Sequence, residues 1–262
     1  MNPLEPHSES AQLRSGHWED AFNRNKQLAK DDNHGMGYDV AFFGSSAVEH
    51  LLGTDWGIAR PDLHNDTAQV FSTLFGDRGG DGSSSSGGVG TGYRGIPMGM
   101  NEDRCAETLY RMKNGELPRS LLTKTRVIWL VVGNTDINDS CAARTITTCM
   151  MQMAEFVRGQ LSPKDHTKIV INSMFPFYAP NNRSLLLNPT WHKIEKIDRE
   201  LECYAEQFDN VHFVNTTESF LDVTGEHVPA NVMMPGMFHV PSAVGTRQWL
   251  VKIVKELDAL LA

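Results

Sequence analysis

The stretch RVIWLVVG at positions 126–133 constrains the fold more than any other. In a strand, successive side chains point to opposite faces, so an unbroken apolar run needs cover on both sides. A parallel sheet enclosed between two helix layers meets that demand. The same alternation recurs along the chain. Residues 17–30 and 145–160 read as helices, 168–173 (KIVINS) as a strand, 190–207 as a long amphipathic helix, 211–214 as a strand and 242–261 as the last helix. Strands alternating with helices at this spacing form right-handed βαβ units, hence a three-layer α/β/α sandwich. Ligands in such sheets sit beyond the carboxyl ends of the strands.

A chain of 262 residues with 40% hydrophobic content can bury one substantial core, so residues 17–262 read as a single domain after a loose polar segment at 1–16. The low-complexity stretch GDRGGDGSSSSGGVGTGYRG at 76–95 cannot pack a core and reads as a surface loop. It lacks the G-x-x-x-x-G-K-[ST] order of a phosphate cradle. In EDRCAETLYRMKNGEL a helix should end at Gly115, with Ala106, Leu109, Tyr110 and Met112 on its inner face. A formal net charge of −8 without a dense Lys/Arg block argues against nucleic acid or an anionic membrane as the main partner. The start of the sequence lacks an apolar signal core, and no window approaches the ~18–20 apolar residues of a membrane span, so a soluble, cytoplasmic protein is expected. Cys105, Cys141, Cys149 and Cys203 show no C-x-x-C spacing and are expected to be free thiols. No metal-ligand spacing appears, and no cofactor or metal is expected.

The stretch YDVAFFGSSAVEHL at 38–51 reads as strand, tight turn and helix, with Ser46 on the turn. A serine there is commonly a helix cap. To act as a nucleophile it needs a base and oxyanion donors. His239, in a loop before the last helix, is the best base among the histidines. That helix should turn Val244, Trp249, Ile253 and Leu257 inward. The backbone N–H of Ser46, the residues around Glu102 and the turn at Asn134 and Thr135 are the candidate oxyanion donors.

The motifs FFGSS, LYRMKNGEL, VIWLVVG and HVPSAVG, in this order, resemble the SGNH (GDSL-type) hydrolases, in particular the branch containing the catalytic subunits of intracellular platelet-activating-factor acetylhydrolase. The resemblance implies a flavodoxin-like fold with a five-stranded parallel sheet in the order 2-1-3-4-5, and it suggests a homodimer. It aligns Ser46 with the nucleophile and His239 with the base. The oxyanion glycine of that family falls on Glu102, the oxyanion asparagine on Thr135 with Asn134 beside it, and the aspartate that orients the histidine on Gly236. Asp222 and Glu226, upstream in the same loop, are substitutes for that aspartate.

The resulting expectation is a serine esterase or acylhydrolase that acts on a small-molecule ester, such as an acetyl ester, through a Ser46–His239 dyad or variant triad. Its rival is a protein of the same fold that binds without hydrolysing.

Overall fold

A computed structural model of the chain describes residues 16–30, 37–76, 91–177, 184–185, 188–234 and 237–262, with the backbone alone at 237–239. Residues 1–15 of the N-terminal segment, 77–90 of the Gly/Ser-rich loop and Gly236 lie outside them. The elements run α1 (His17–Lys30), β1 (Val40–Gly44), α2 (Ser46–Glu49) with a 3-10 turn at His50–Leu52, the small hairpin β2 (Thr54–Asp55) and β3 (Ile58–Ala59), and α3 (Pro61–Phe75). They continue with β4 (Gly95–Gly99), α4 (Cys105–Arg111) and its widened last turn Met112–Glu116, α5 (Arg119–Lys124), β5 (Val127–Val131), α6 (Asn134–Asn138), α7 (Ala143–Gln160) and β6 (Lys168–Asn172). Last come α8 (Pro189–Ala205), β7 (Val211–Val214), the hairpin β8 (Met233–Met234) and β9 (Met237–Pro241), and α9 (Ala243–Leu261).

The expected architecture is present. Five strands form a parallel sheet in the order β4-β1-β5-β6-β7. Alternation along β1 and β5 splits the core in two. Ala41, Phe43, Ile128 and Leu130 face α4, α5, α7 and α8, whereas Val40, Phe42, Val127 and Trp129 face α3 and α9. Each large side chain so buried contributes about 1.5–3 kcal/mol. The polar tips of the second layer are satisfied as well. Asn172 at the end of β6 accepts hydrogen bonds from the indoles of Trp129 (3.0 Å) and Trp249 (3.2 Å).

Four expectations need correction. The strand β4 lies where the loop was read to end, because GIPMG, with two glycines and a proline, carries no strand signal. Its proline is tolerated because β4 is an edge strand. On α4, Leu109 and Met112 are buried, but Tyr110 is 42% exposed and Ala106 only half-buried. The apolar pattern misjudged the phase of this helix because Arg111, a charged residue, is fully buried. Val244 is exposed in the first turn of α9, while Trp249, Ile253 and Leu257 are buried as expected. Finally, Cys105 and Cys149 form a disulfide between α4 and α7, with Cα atoms 6.1 Å apart, and only Cys141 and Cys203 are free. The two partners are 44 residues apart, so packing of the helices brings them together where spacing gives no hint.

Candidate active site

The turn from β1 into α2 is made by close backbone approach. A Cβ on Gly44 would lie 2.4 Å from the Val131 carbonyl oxygen, and one on Gly99 would lie 2.1 Å from the Glu49 nitrogen. Only glycine lets α2 seat this tightly against the ends of β4 and β5. Ser46 opens α2 at the carboxyl edge of the sheet and is 7% exposed. Its hydroxyl does not cap the helix, and Ser45, which precedes the helix, makes no side-chain cap either. The Ser46 hydroxyl donates instead to Oδ1 of Asn101, and its oxygen accepts the backbone N–H of Glu102 at 3.2 Å.

Both partners belong to the turn after β4. Glu102 has φ +55°, a left-handed backbone that glycine adopts freely and other residues adopt at a cost of roughly 1–2 kcal/mol. Its N–H faces the serine and its side chain is exposed. The turn is fixed from below by two buried carboxylates. Glu49 accepts from the backbone N–H groups of Asn101 (2.5 Å) and Gly57 (2.6 Å) and from the Thr54 hydroxyl (3.0 Å), with Arg24 at 3.9 Å. Asp103 accepts from the Trp18 indole (3.0 Å) and from Nε of Arg111 (2.6 Å).

Arg111 ties this turn to β1. Fully buried, it pairs with Asp103 and Glu116 and donates to the carbonyls of Gly44 (2.9 Å) and Met98 (3.3 Å). The last residue of β1 and the turn after β4 therefore share one guanidinium. Burial raises the Glu116 carboxyl to about 7 and lifts Asp103 above its ordinary range, and Arg111 opposes both shifts.

The second turn, after β5, starts at Gly133 with φ +103° and leads into α6. Asn134 is committed to the backbone. Its Nδ2 donates to the Phe175 carbonyl (3.1 Å) and its Oδ1 accepts the Phe175 N–H (3.2 Å). Thr135, 7% exposed, follows it at the same sheet edge. Asp136, also buried, accepts the N–H of Cys105 at 2.9 Å and so joins this turn to the start of α4. Burial raises its carboxyl to about 6, against the pull of that N–H.

His239 lies on β9 and not in a loop. The strand pairs antiparallel with β8, and its backbone comes within 8 Å, Cα to Cα, of α2, the helix that Ser46 opens. This hairpin gave no sequence signal because MMPGMFHVP is interrupted by proline and glycine and has no alternating pattern. Asp222 is engaged elsewhere. It accepts from the Thr224 hydroxyl (2.6 Å), which above all holds its carboxyl below the ordinary range, and it lies 3.7 Å from His227. Glu226 is exposed in that same turn. The residue the sequence reading missed is Asn101. It stands next to Glu102 in GMNEDR, and nothing in its spacing distinguishes it from an ordinary turn asparagine.

No family model and no curated protein sequence matches the chain. Among solved structures, a Streptococcus pneumonia protein provisionally described as a platelet activating factor superposes with a TM-score of 0.67 at 14% identity, over 96% of this chain and 100% of that one. A GDSL-like lipase from Bacteroides thetaiotaomicron gives 0.57 at 15% identity, over 91% and 98%. A carbohydrate acetylesterase family member from Sinorhizobium meliloti gives 0.55 at 14% identity, over 85% and 98%. With this overlap along both chains, the chain has the fold of the GDSL-type lipolytic proteins.

Proposed function

We propose that the protein is a serine ester hydrolase with Ser46 as nucleophile and His239 as base. Ser46 Oγ attacks the ester carbonyl while His239 takes the hydroxyl proton. The negative charge that develops on the carbonyl oxygen is held by the N–H groups of Glu102 and Ser46, with the Thr135 hydroxyl as third donor. The imidazolium then protonates the leaving alcohol, and water releases the acyl group by the reverse traffic. Asn134, spent on Phe175, is the weaker donor candidate.

The observation that carries this reading is the N–H of Glu102 at 3.2 Å from Ser46 Oγ. A helix-capping serine has no need of such a donor, whereas an acyl-transfer site requires one beside its nucleophile. A second reading, a site that binds an ester or its acid without hydrolysing it, is favoured by the Ser46 proton being directed at Asn101. Hydrolysis of short-chain activated esters separates the two. Ser46→Ala should abolish turnover while Ser45→Ala keeps most of it, and an inert wild type would favour the binding protein.

A further inference from the structure

We infer that Asn101 is a latch on the nucleophile, holding the Ser46 hydroxyl in a resting hydrogen bond that must break before the serine can react. The inference rests on Ser46 being the reactive residue, and it names what sets its reactivity.

The amide of Asn101 has two ends with opposite roles. Its Nδ2 donates to Oδ1 of Asp55 at 2.5 Å. That bond, with an Asp55 oxygen as acceptor, keeps the NH2 end turned toward Asp55. The carbonyl end is left facing Ser46, and there it accepts the serine proton. The backbone of Asn101 cannot drift, because its N–H is bound by the buried Glu49. Asp55 in turn sits on the β2–β3 hairpin, 3.8 Å from Arg60. The chain Asp55–Asn101–Ser46 therefore sets the direction of one proton.

That direction opposes the reaction. A neutral amide oxygen accepts a hydrogen bond but is no base at neutral pH, so it cannot carry the proton away as the serine attacks. The contact stabilises the resting serine and is lost in the transition state, where the proton moves to a base. Interactions stronger in the ground state than in the transition state slow a reaction. A neutral hydrogen bond of ordinary net strength corresponds to about a fivefold effect on rate. The Glu102 N–H is on the other side of this balance. It meets the same oxygen from the oxyanion turn, and removing the Asn101 side chain leaves it in place.

The test is the second-order rate at which a fluorophosphonate labels Ser46, read by mass spectrometry of the labelled peptide, in wild type, Asn101→Ala and Asp55→Ala. Near-UV circular dichroism checks that each variant keeps its native packing. Asn101→Ala should label about fivefold faster than wild type, and Asp55→Ala, which keeps the amide but frees it to turn, about twofold faster. A purely structural role for either residue would slow labelling. Faster labelling on a reactive wild type supports the latch and the hydrolase together. Equal or slower labelling of both variants on a reactive wild type overturns the latch and leaves the hydrolase standing. An unreactive wild type with a reactive Asn101→Ala supports the latch and shows that the native protein is held off. If nothing labels, both ideas fall. If Asn101→Ala loses its fold, Asp55→Ala decides alone by the same sign.

Discussion

The two turns that flank Ser46 follow the same place in successive βα units, yet they treat the serine differently. The turn after β4 gives it two contacts, the Glu102 N–H and the Asn101 amide, and is fixed by the buried Glu49 and by the Arg111–Asp103 pair. The turn after β5 spends its amide on Phe175 and its carboxylate on Cys105, and of its polar side chains Thr135 is the one left for a substrate. The first turn thus sets the hydrogen bonding of the Ser46 hydroxyl, while the second ties layers of the fold together. A polar side chain near a catalytic edge is evidence for chemistry only after its structural obligations have been counted.

Arg111 supports the first turn from beneath, and its loss should have the largest effect. Arg111→Met takes the guanidinium away from the buried Asp103 and Glu116 and removes one donor from the Gly44 carbonyl. A cost of about 3–5 kcal/mol in urea unfolding is expected. A loss below ~1 kcal/mol would mean that the turn is held by Glu49 alone.

The second turn should reveal itself through pH. The Asp136 carboxyl, at about 6 in the folded protein, lies above its unfolded value. A group raised in this way contributes stability that is fully present below the unfolded pKa of ~3.9 and lost as pH rises through about 6. Stability should fall by about 2–3 kcal/mol over that window. Asp136→Asn keeps an acceptor for the Cys105 N–H and should flatten that part of the pH profile. A profile unchanged by the substitution would place the titration elsewhere.

Glu102 offers the smallest effect and the sharpest contrast. Glu102→Gly relieves the left-handed backbone at φ +55° and should stabilise the protein by about 1 kcal/mol. It also removes one negative charge from the turn that flanks Ser46, so ester turnover should rise. A fall in turnover would show that the Glu102 carboxylate holds a polar group of the substrate.

Sheet, layers and most helix bounds were legible in the sequence because apolar runs and 3.6-residue spacing report burial directly. Val211–Val214 and His17–Lys30 match to the residue. What escaped was whatever burial of polar groups controls. Arg111 disguised the phase of α4, and Asn101 looked like any turn residue, since its role depends on Asp55, 46 residues away in the chain. The strand β4 and the hairpin carrying His239 were hidden by glycine and proline, which punctuate strands and loops alike. The place of Ser46 was legible, because a short apolar strand broken by glycine and followed by a helix-compatible stretch sets a turn at the sheet edge.

The central claim is that Ser46 is a nucleophile served by His239. Peptide mapping after treatment with a fluorophosphonate, on wild type and His239→Ala, tests it most directly. The account predicts label on the peptide bearing Ser45 and Ser46, located at Ser46, with the rate falling at least about a hundredfold in His239→Ala. Label on another residue, or equal labelling with and without His239, would contradict it.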